Sequence, residues 1–107
     1  MAYSFDRAAY KIGVSNDPEY RVSELRWSAN NPWGCVITTH LCEHWYFPKS
    51  VALAVESVAL ERTKMNAVGS SEWRKHRYGA TIDGMLDTYR FLNDVKTQFD
   101  SSRGSDE

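Results

Sequence analysis

The sequence predicts one α/β domain of the mixed α+β type, in which a small three-stranded antiparallel sheet is packed by about three helices. Short stretches rich in β-branched or alternating residues, typical of strands, occur in the first part of the chain. Longer stretches with apolar residues at helical spacing follow them. With 107 residues, 42% hydrophobic and 25% charged, the chain suits one globular core. We expect the domain to span residues 1–99, followed by a flexible tail at residues 100–107 that lacks apolar side chains.

The first elements are a predicted β-hairpin and a short helix. Strands at residues 2–5 and 9–14 flank a turn at residues 6–8. Alternation along the second strand places Tyr10 and Ile12 on one face and Lys11 on the other. Asp17 and Pro18 then predict a helix over residues 18–28, because aspartate favours the N-cap and proline favours the first helical position.

Later segments complete the predicted fold. Residues 33–42 are rich in β-branched side chains and predict the third strand. Residues 49–65 predict a second helix that is apolar on almost all sides, so we expect it to be the central buried helix. A loop over residues 66–78 precedes a last helix, which begins at Thr81 and carries an apolar stripe to Phe99.

The charge of the chain limits how it meets nucleic acid. Thirteen Lys and Arg against 14 Asp and Glu give a net charge of -1, which argues against bulk attraction to phosphate. The loop region is locally basic, and we predict that Arg74, Lys75 and Arg77 bind nucleic acid; the alternative is a solvated loop. No apolar run approaches the roughly 18 residues that cross a bilayer, and no secretion signal precedes the first strand. We therefore expect no membrane partner.

A motif near the hairpin links the chain to a known family. Lys11-Ile12-Gly13, followed by Arg21 in the next helix, resembles the second motif of GIY-YIG nucleases, in the Lys-Ile-Gly variant of phage and bacterial proteins. The resemblance continues at Glu56 in a helix and covers most of residues 1–75. It also includes Ser71-Glu72-Trp73, where this branch usually has Gly-Glu-Trp. The resemblance implies a GIY-YIG-type fold and a cytoplasmic protein of bacteria or phage-infected cells.

The resemblance also implies a catalytic site. Lys11 stands in place of the second family tyrosine and, with Tyr3 or Tyr10, would assist deprotonation of the attacking hydroxyl. Arg21 would stabilise the phosphoryl transition state, since guanidinium donates to two phosphate oxygens at once. Glu56 would hold Mg²⁺ or Mn²⁺. The structural alternatives are a Glu56–Arg21 ion pair and, for Lys11, a phosphate contact or a solubilising edge charge.

Two functions of different classes follow from these residues. The first is a metal-dependent endonuclease, or a nuclease-like protein that binds DNA. The second is a non-catalytic interaction module, such as a small phage protein that inhibits a host defence complex. The short chain, its near-zero charge and Leu60, where this branch commonly has histidine, support the second. Exposed aromatic residues would also support it, and the candidates are Trp27, Trp33, Trp45 and Tyr46.

Overall fold

A β-hairpin near the start of the chain organises the sheet. The computed structural model describes the backbone of residues 1–75 and 81–105, and the side chains of residues 1–75 and 84–102. Strands β1 (Ala2–Ser4) and β2 (Ala9–Lys11) pair antiparallel, with Tyr3 opposite Tyr10. The turn between them closes through Ala8, whose φ of 49° is unusual for a residue with a Cβ atom. The predicted hairpin is therefore confirmed.

The sheet of the described residues has four strands, whereas the sequence predicted three. Strand β3 (His40–Leu41) pairs with β1, and strand β4 (Trp73–Arg74) pairs with β2 from within the predicted loop. The resulting antiparallel order is β3-β1-β2-β4. Strand β4 escaped prediction because a two-residue strand has no internal alternation. It forms only where a distant strand offers free hydrogen-bonding groups.

The long strand predicted over residues 33–42 is wrong, since only His40–Leu41 pairs. The preceding segment is held by hydrogen bonds of side chains instead of joining a ladder. The Asn31 amide donates to the Trp27 and Cys35 carbonyls at 2.9 and 2.8 Å. Thr38 donates to the Asp6 carboxylate through its backbone N–H and its hydroxyl, at 2.9 Å from Oγ1. The segment is therefore an irregular loop fastened to the hairpin turn.

Helix α1 (Pro18–Glu24) begins as predicted. The Asp17 carboxylate accepts a hydrogen bond from the Tyr20 backbone N–H at 3.1 Å, which confirms the cap. The helix ends earlier than the predicted residue 28, because the Asn30 side chain caps the Glu24 carbonyl and a 3-10 turn follows at Ser28–Asn30. Its apolar side packs on one face of the sheet, in a cluster of Ala2, Ala9, Val22, Leu25, Ile37 and Trp73.

Helices α2 (Lys49–Arg62) and α3 (Thr81–Ser105) cover the other face. Ala59 of α2 and Leu92 of α3 pack there against Tyr3, Tyr10 and Ile12. The prediction that the second helix is the central buried helix is wrong, because Ala59 is its only buried residue. Leu53 and Val58 remain 46% and 51% exposed. A sheet whose strands have only two or three residues is too small to cover much of the surface of this helix.

The described chain thus forms a mixed α+β fold with three α-helices, as predicted. Helix α3 continues to Ser105, so the segment predicted as a flexible tail from residue 100 begins within a helix. An ion pair between Lys96 and Asp100, 3.0 Å apart, spans this boundary at helical spacing. None of the helices in the described ranges is long and apolar enough to cross a membrane.

Candidate functional site

An open cleft of about 470 Å³ lies where the end of β2 meets the two shorter helices. Lys11 reaches it from β2, Arg21 from α1 and Glu56 from α2. Glu72, which immediately precedes β4, lines the same cleft. The structure therefore brings three residues of the predicted site to one concavity, although they come from three separate elements. It also adds a carboxylate beside them.

Lys11 and Glu72 form an ion pair at the floor of this cleft. The Lys11 Nζ atom lies 2.6 Å from Glu72 Oε2, with side-chain exposures of 13% and 48%. Pairing of Lys11 with Trp73 in the sheet places Glu72 next to the lysine. Glu72 had no predicted chemical role. The Glu-Trp pair of the motif was the available signal, and only the formation of β4 shows what the carboxylate contacts.

Gly13 provides the space in which the charged groups approach one another. A Cβ atom at this position would lie 3.1 Å from Lys11 Nζ and 4.0 Å from Glu56 Oε2. A side chain at this position would therefore contact the flexible end of Lys11, which would have to shift by a few tenths of an ångström. The glycine of the Lys-Ile-Gly motif thus leaves room for the lysine ammonium in the cleft.

Glu56 and Arg21 remain available to a ligand. Within the part of the chain that the structure describes, no ion pair or hydrogen bond engages either side chain, so the alternative of a structural Glu56–Arg21 pair is not what is observed. Glu56 is half-buried, whereas Arg21 is exposed. The Glu56 carboxylate therefore has oxygen atoms free to bind a cation from outside the chain.

The oxygen donors in the cleft fit a magnesium-like ion. Among the described residues, no group of three or more His, Cys, Asp and Glu side chains converges as a preformed metal site. Mg²⁺, however, is commonly held by one or two carboxylates with waters and substrate phosphate completing its shell. Glu56 lines the cleft and supplies one such carboxylate, whereas the Glu72 carboxylate in the same cleft is paired with Lys11. The donor set thus suits Mg²⁺ or Mn²⁺ better than zinc.

The structure separates both predicted tyrosines from this site. Tyr3 and Tyr10 are 7% and 1% exposed and pack in the core beneath α2 and α3. The Tyr10 hydroxyl lies 3.2 Å from the Thr88 hydroxyl, which satisfies it inside the protein. Neighbouring strand residues point to opposite faces, so Tyr10 and Lys11 have different surroundings. The prediction that Tyr3 or Tyr10 assists Lys11 is therefore wrong, because both tyrosines lie in the core on the other face of the sheet.

The predicted nucleic-acid-binding residues differ in their exposure to solvent. Arg74 is only 5% exposed, and its guanidinium donates to the Leu60 and Ser71 carbonyls at 3.1 and 2.8 Å and to the Thr63 hydroxyl at 2.8 Å. Burial lowers the pKa of Arg74 from its ordinary value. This guanidinium belongs to the interior, which corrects its predicted role as a phosphate ligand. Lys75 is exposed, and its role stays a prediction; Arg77 lies outside the described residues.

Comparisons with known protein families, with curated proteins and with solved structures found no match. The resemblance to GIY-YIG nucleases therefore stays a prediction that rests on the motif residues. The cleft geometry is the independent observation that bears on function.

Proposed function

We propose that this chain is a nucleic-acid-binding protein of the GIY-YIG type that cleaves phosphodiesters with the help of Mg²⁺ or Mn²⁺. The observation that carries the proposal is the convergence of Lys11, Arg21 and Glu56 on one cleft. Two cations and an unpaired carboxylate around one concavity are what a phosphoryl group and a metal ion require. Residues on one face of a single helix are neighbours whatever their function, but these three come from different elements. Their proximity is therefore not a consequence of helix spacing.

Arg21 and Lys11 supply the positive side of the proposed site. The exposed Arg21 guanidinium is free to donate to two non-bridging phosphate oxygens and to stabilise the charge that grows on them. The Lys11 ammonium already donates to Glu72 and therefore acts as a positioned cation rather than as a base. In this proposal its positive charge stabilises the hydroxide that develops from the attacking water.

Glu72 and Glu56 supply the negative side. Water forms the new P–O bond, its proton passes to the Glu72 carboxylate, and the old ester P–O bond breaks with its oxygen protonated by solvent. Glu72 is half exposed, so it returns the proton to bulk water. Glu56 would hold the divalent ion, while Glu72 keeps its ion pair with Lys11. When bound, the ion supplies Lewis-acid stabilisation of the leaving oxygen.

The decisive test replaces Glu56 by glutamine, which keeps size and hydrogen bonding but removes the charge. We expect nicking of supercoiled DNA with Mn²⁺ or Mg²⁺ to fall by about 100-fold or more. Glu61→Gln is the matched control, because Glu61 lies on the same helix, does not line the cleft and pairs with Lys64 at 2.6 Å. Equal cleavage by wild type and Glu56→Gln, or no cleavage of DNA or RNA by folded wild type, would refute catalysis.

The second candidate is a non-catalytic interaction module. The exposed apolar side chains Leu53 and Val58 on α2, with Met65 just beyond it at 76% exposure, favour this candidate. Among the aromatic candidates, Trp27 and Tyr46 are exposed, whereas Trp33 and Trp45 are half-buried. The two functions differ in which surface matters. If the protein is a nuclease, the double substitution Leu53→Ser, Val58→Ser should leave its activity intact. If it is an interaction module, the double substitution should abolish partner binding, and Glu56→Gln should not affect it.

A further inference from the structure

An exposed aromatic pair, His44 and Tyr46, lines the cleft. Tyr46 is 75% exposed, although a tyrosine ring has a large apolar area. Its ring meets the His44 ring edge to face, with centroids 5.2 Å apart and an interplanar angle of 87°. His44 Nε2 and the Tyr46 hydroxyl lie 3.2 Å apart. The tyrosine is thus oriented by its neighbour while most of its ring remains open to solvent.

The backbone beneath this ring is fastened to helix α3. Lys96 Nζ donates to the Tyr46 carbonyl at 2.6 Å. The same ammonium lies 5.2 Å from the Phe47 ring centroid, and the Phe47 and Phe99 rings pack at 5.5 Å. These contacts fix the peptide that carries Tyr46. An exposed ring on an anchored peptide loses little conformational entropy when a ligand packs on it.

The cations of the cleft indicate which ligand suits such a ring. Lys11, Arg21 and Lys49 line the same cleft as Tyr46, so one ligand could meet both the cations and the aromatic ring in this concavity. Proteins that bind single strands combine these two features, since cations follow the backbone and aromatic rings stack on unpaired bases. The bases of a duplex are already stacked and offer no free face to a side chain. A site that combines cations with an exposed aromatic ring should therefore prefer single-stranded over double-stranded nucleic acid.

We propose that Tyr46, oriented by His44, is a stacking platform for one unpaired nucleobase, and that the substrate class is single-stranded or locally unpaired nucleic acid. This inference rests on the proposed function, because Lys11 and Arg21 must hold the adjacent phosphates. It goes beyond that function by assigning a base-binding position and a strand preference. Stacking tolerates any base, so no sequence preference arises from this platform.

The test measures binding of a short single-stranded DNA and of the matching duplex in EDTA at low salt, by fluorescence anisotropy. Tyr46→Ala should weaken single-strand binding about 5-fold or more, the effect expected for one stacked base. Tyr46→Phe should bind like wild type, because the ring is retained. Duplex binding should change little in either variant. Tyr20→Ala is the control, since Tyr20 is 62% exposed but does not line the cleft.

A 2-aminopurine base in the single strand reports stacking directly, because stacking quenches its fluorescence. Wild type and Tyr46→Phe should quench it on binding, whereas Tyr46→Ala should not. Single-strand binding that Arg21→Ala weakens but Tyr46→Ala leaves unchanged would overturn the platform and leave the proposed function standing. No binding of either strand by wild type would overturn the proposed function, and the platform with it.

Discussion

The two faces of the central hairpin differ in what covers them. Helices α2 and α3 close the face that carries Tyr3 and Tyr10, where both tyrosines are almost completely buried. On the opposite face, α1 covers the alanines of the hairpin but leaves Lys11 at the edge, where the cleft opens. Tyr10 and Lys11 are adjacent in sequence, yet one belongs to the core and the other to the site. Substitutions on the two faces should therefore affect different properties.

The largest expected effect is on the closed face. Tyr10→Ala removes a fully buried aromatic side chain and should lower the free energy of unfolding by about 3–5 kcal/mol, measured by urea denaturation. Tyr20→Ala, at an exposed tyrosine, should stay within about 0.5 kcal/mol of wild type. A small effect at Tyr10 would show that this face is not the core.

A second comparison concerns two adjacent basic residues, Arg74 and Lys75, which were both predicted to bind nucleic acid. Arg74→Ala leaves the Ser71 carbonyl without its side-chain donor, removes one of the donors to the Leu60 carbonyl, and should cost about 2–3 kcal/mol of stability. Lys75→Ala should cost less than about 0.5 kcal/mol, because Lys75 is exposed. Thermal unfolding of both variants checks this difference. Equal stabilities would mean that the buried guanidinium contacts contribute nothing.

On the open face, a substitution should change activity strongly and stability only slightly. Lys11→Met keeps most of the apolar stem and removes the ammonium, so the free energy of unfolding should change by less than about 1 kcal/mol. DNA cleavage should nevertheless be lost, since the proposed site loses its positioned cation. Circular dichroism and a nicking assay on the same preparation measure both properties. Retained cleavage would remove Lys11 from the proposed mechanism.

The smallest expected effect lies at Asp6, in the turn of the β-hairpin. Hydrogen bonds from Ser4 and Thr38 lower the pKa of Asp6 below its ordinary 3.8. The ionised carboxylate therefore stabilises the fold above about pH 5, and this contribution disappears as the pH falls below 3.8 through the folded-state pKa. Wild type should exceed Asp6→Asn in stability at pH 7 by less than about 1 kcal/mol, because the group is exposed. A stability difference that does not shrink between pH 6 and pH 3 would contradict this assignment.

Local signals in the sequence were sufficient for several elements. The Asp17 cap and Pro18 predicted the start of α1, since capping depends on residues within one turn. Alternation predicted the opposite faces of Tyr10 and Lys11, although the family resemblance placed both at one site. The mixed α+β class and the three helices followed from periodicity, which each segment carries within itself.

The tertiary structure decided what depends on distant partners. Strand β4 exists because β2 has a free edge, and its formation buries Arg74 and brings Glu72 to Lys11. The extent of sheet pairing near His40 and the exposure of Leu53 depend on how much surface the neighbouring elements cover. Composition and spacing determine which side chains can ionise, bond or pack. The contacts that set their environment form only when segments distant in sequence meet.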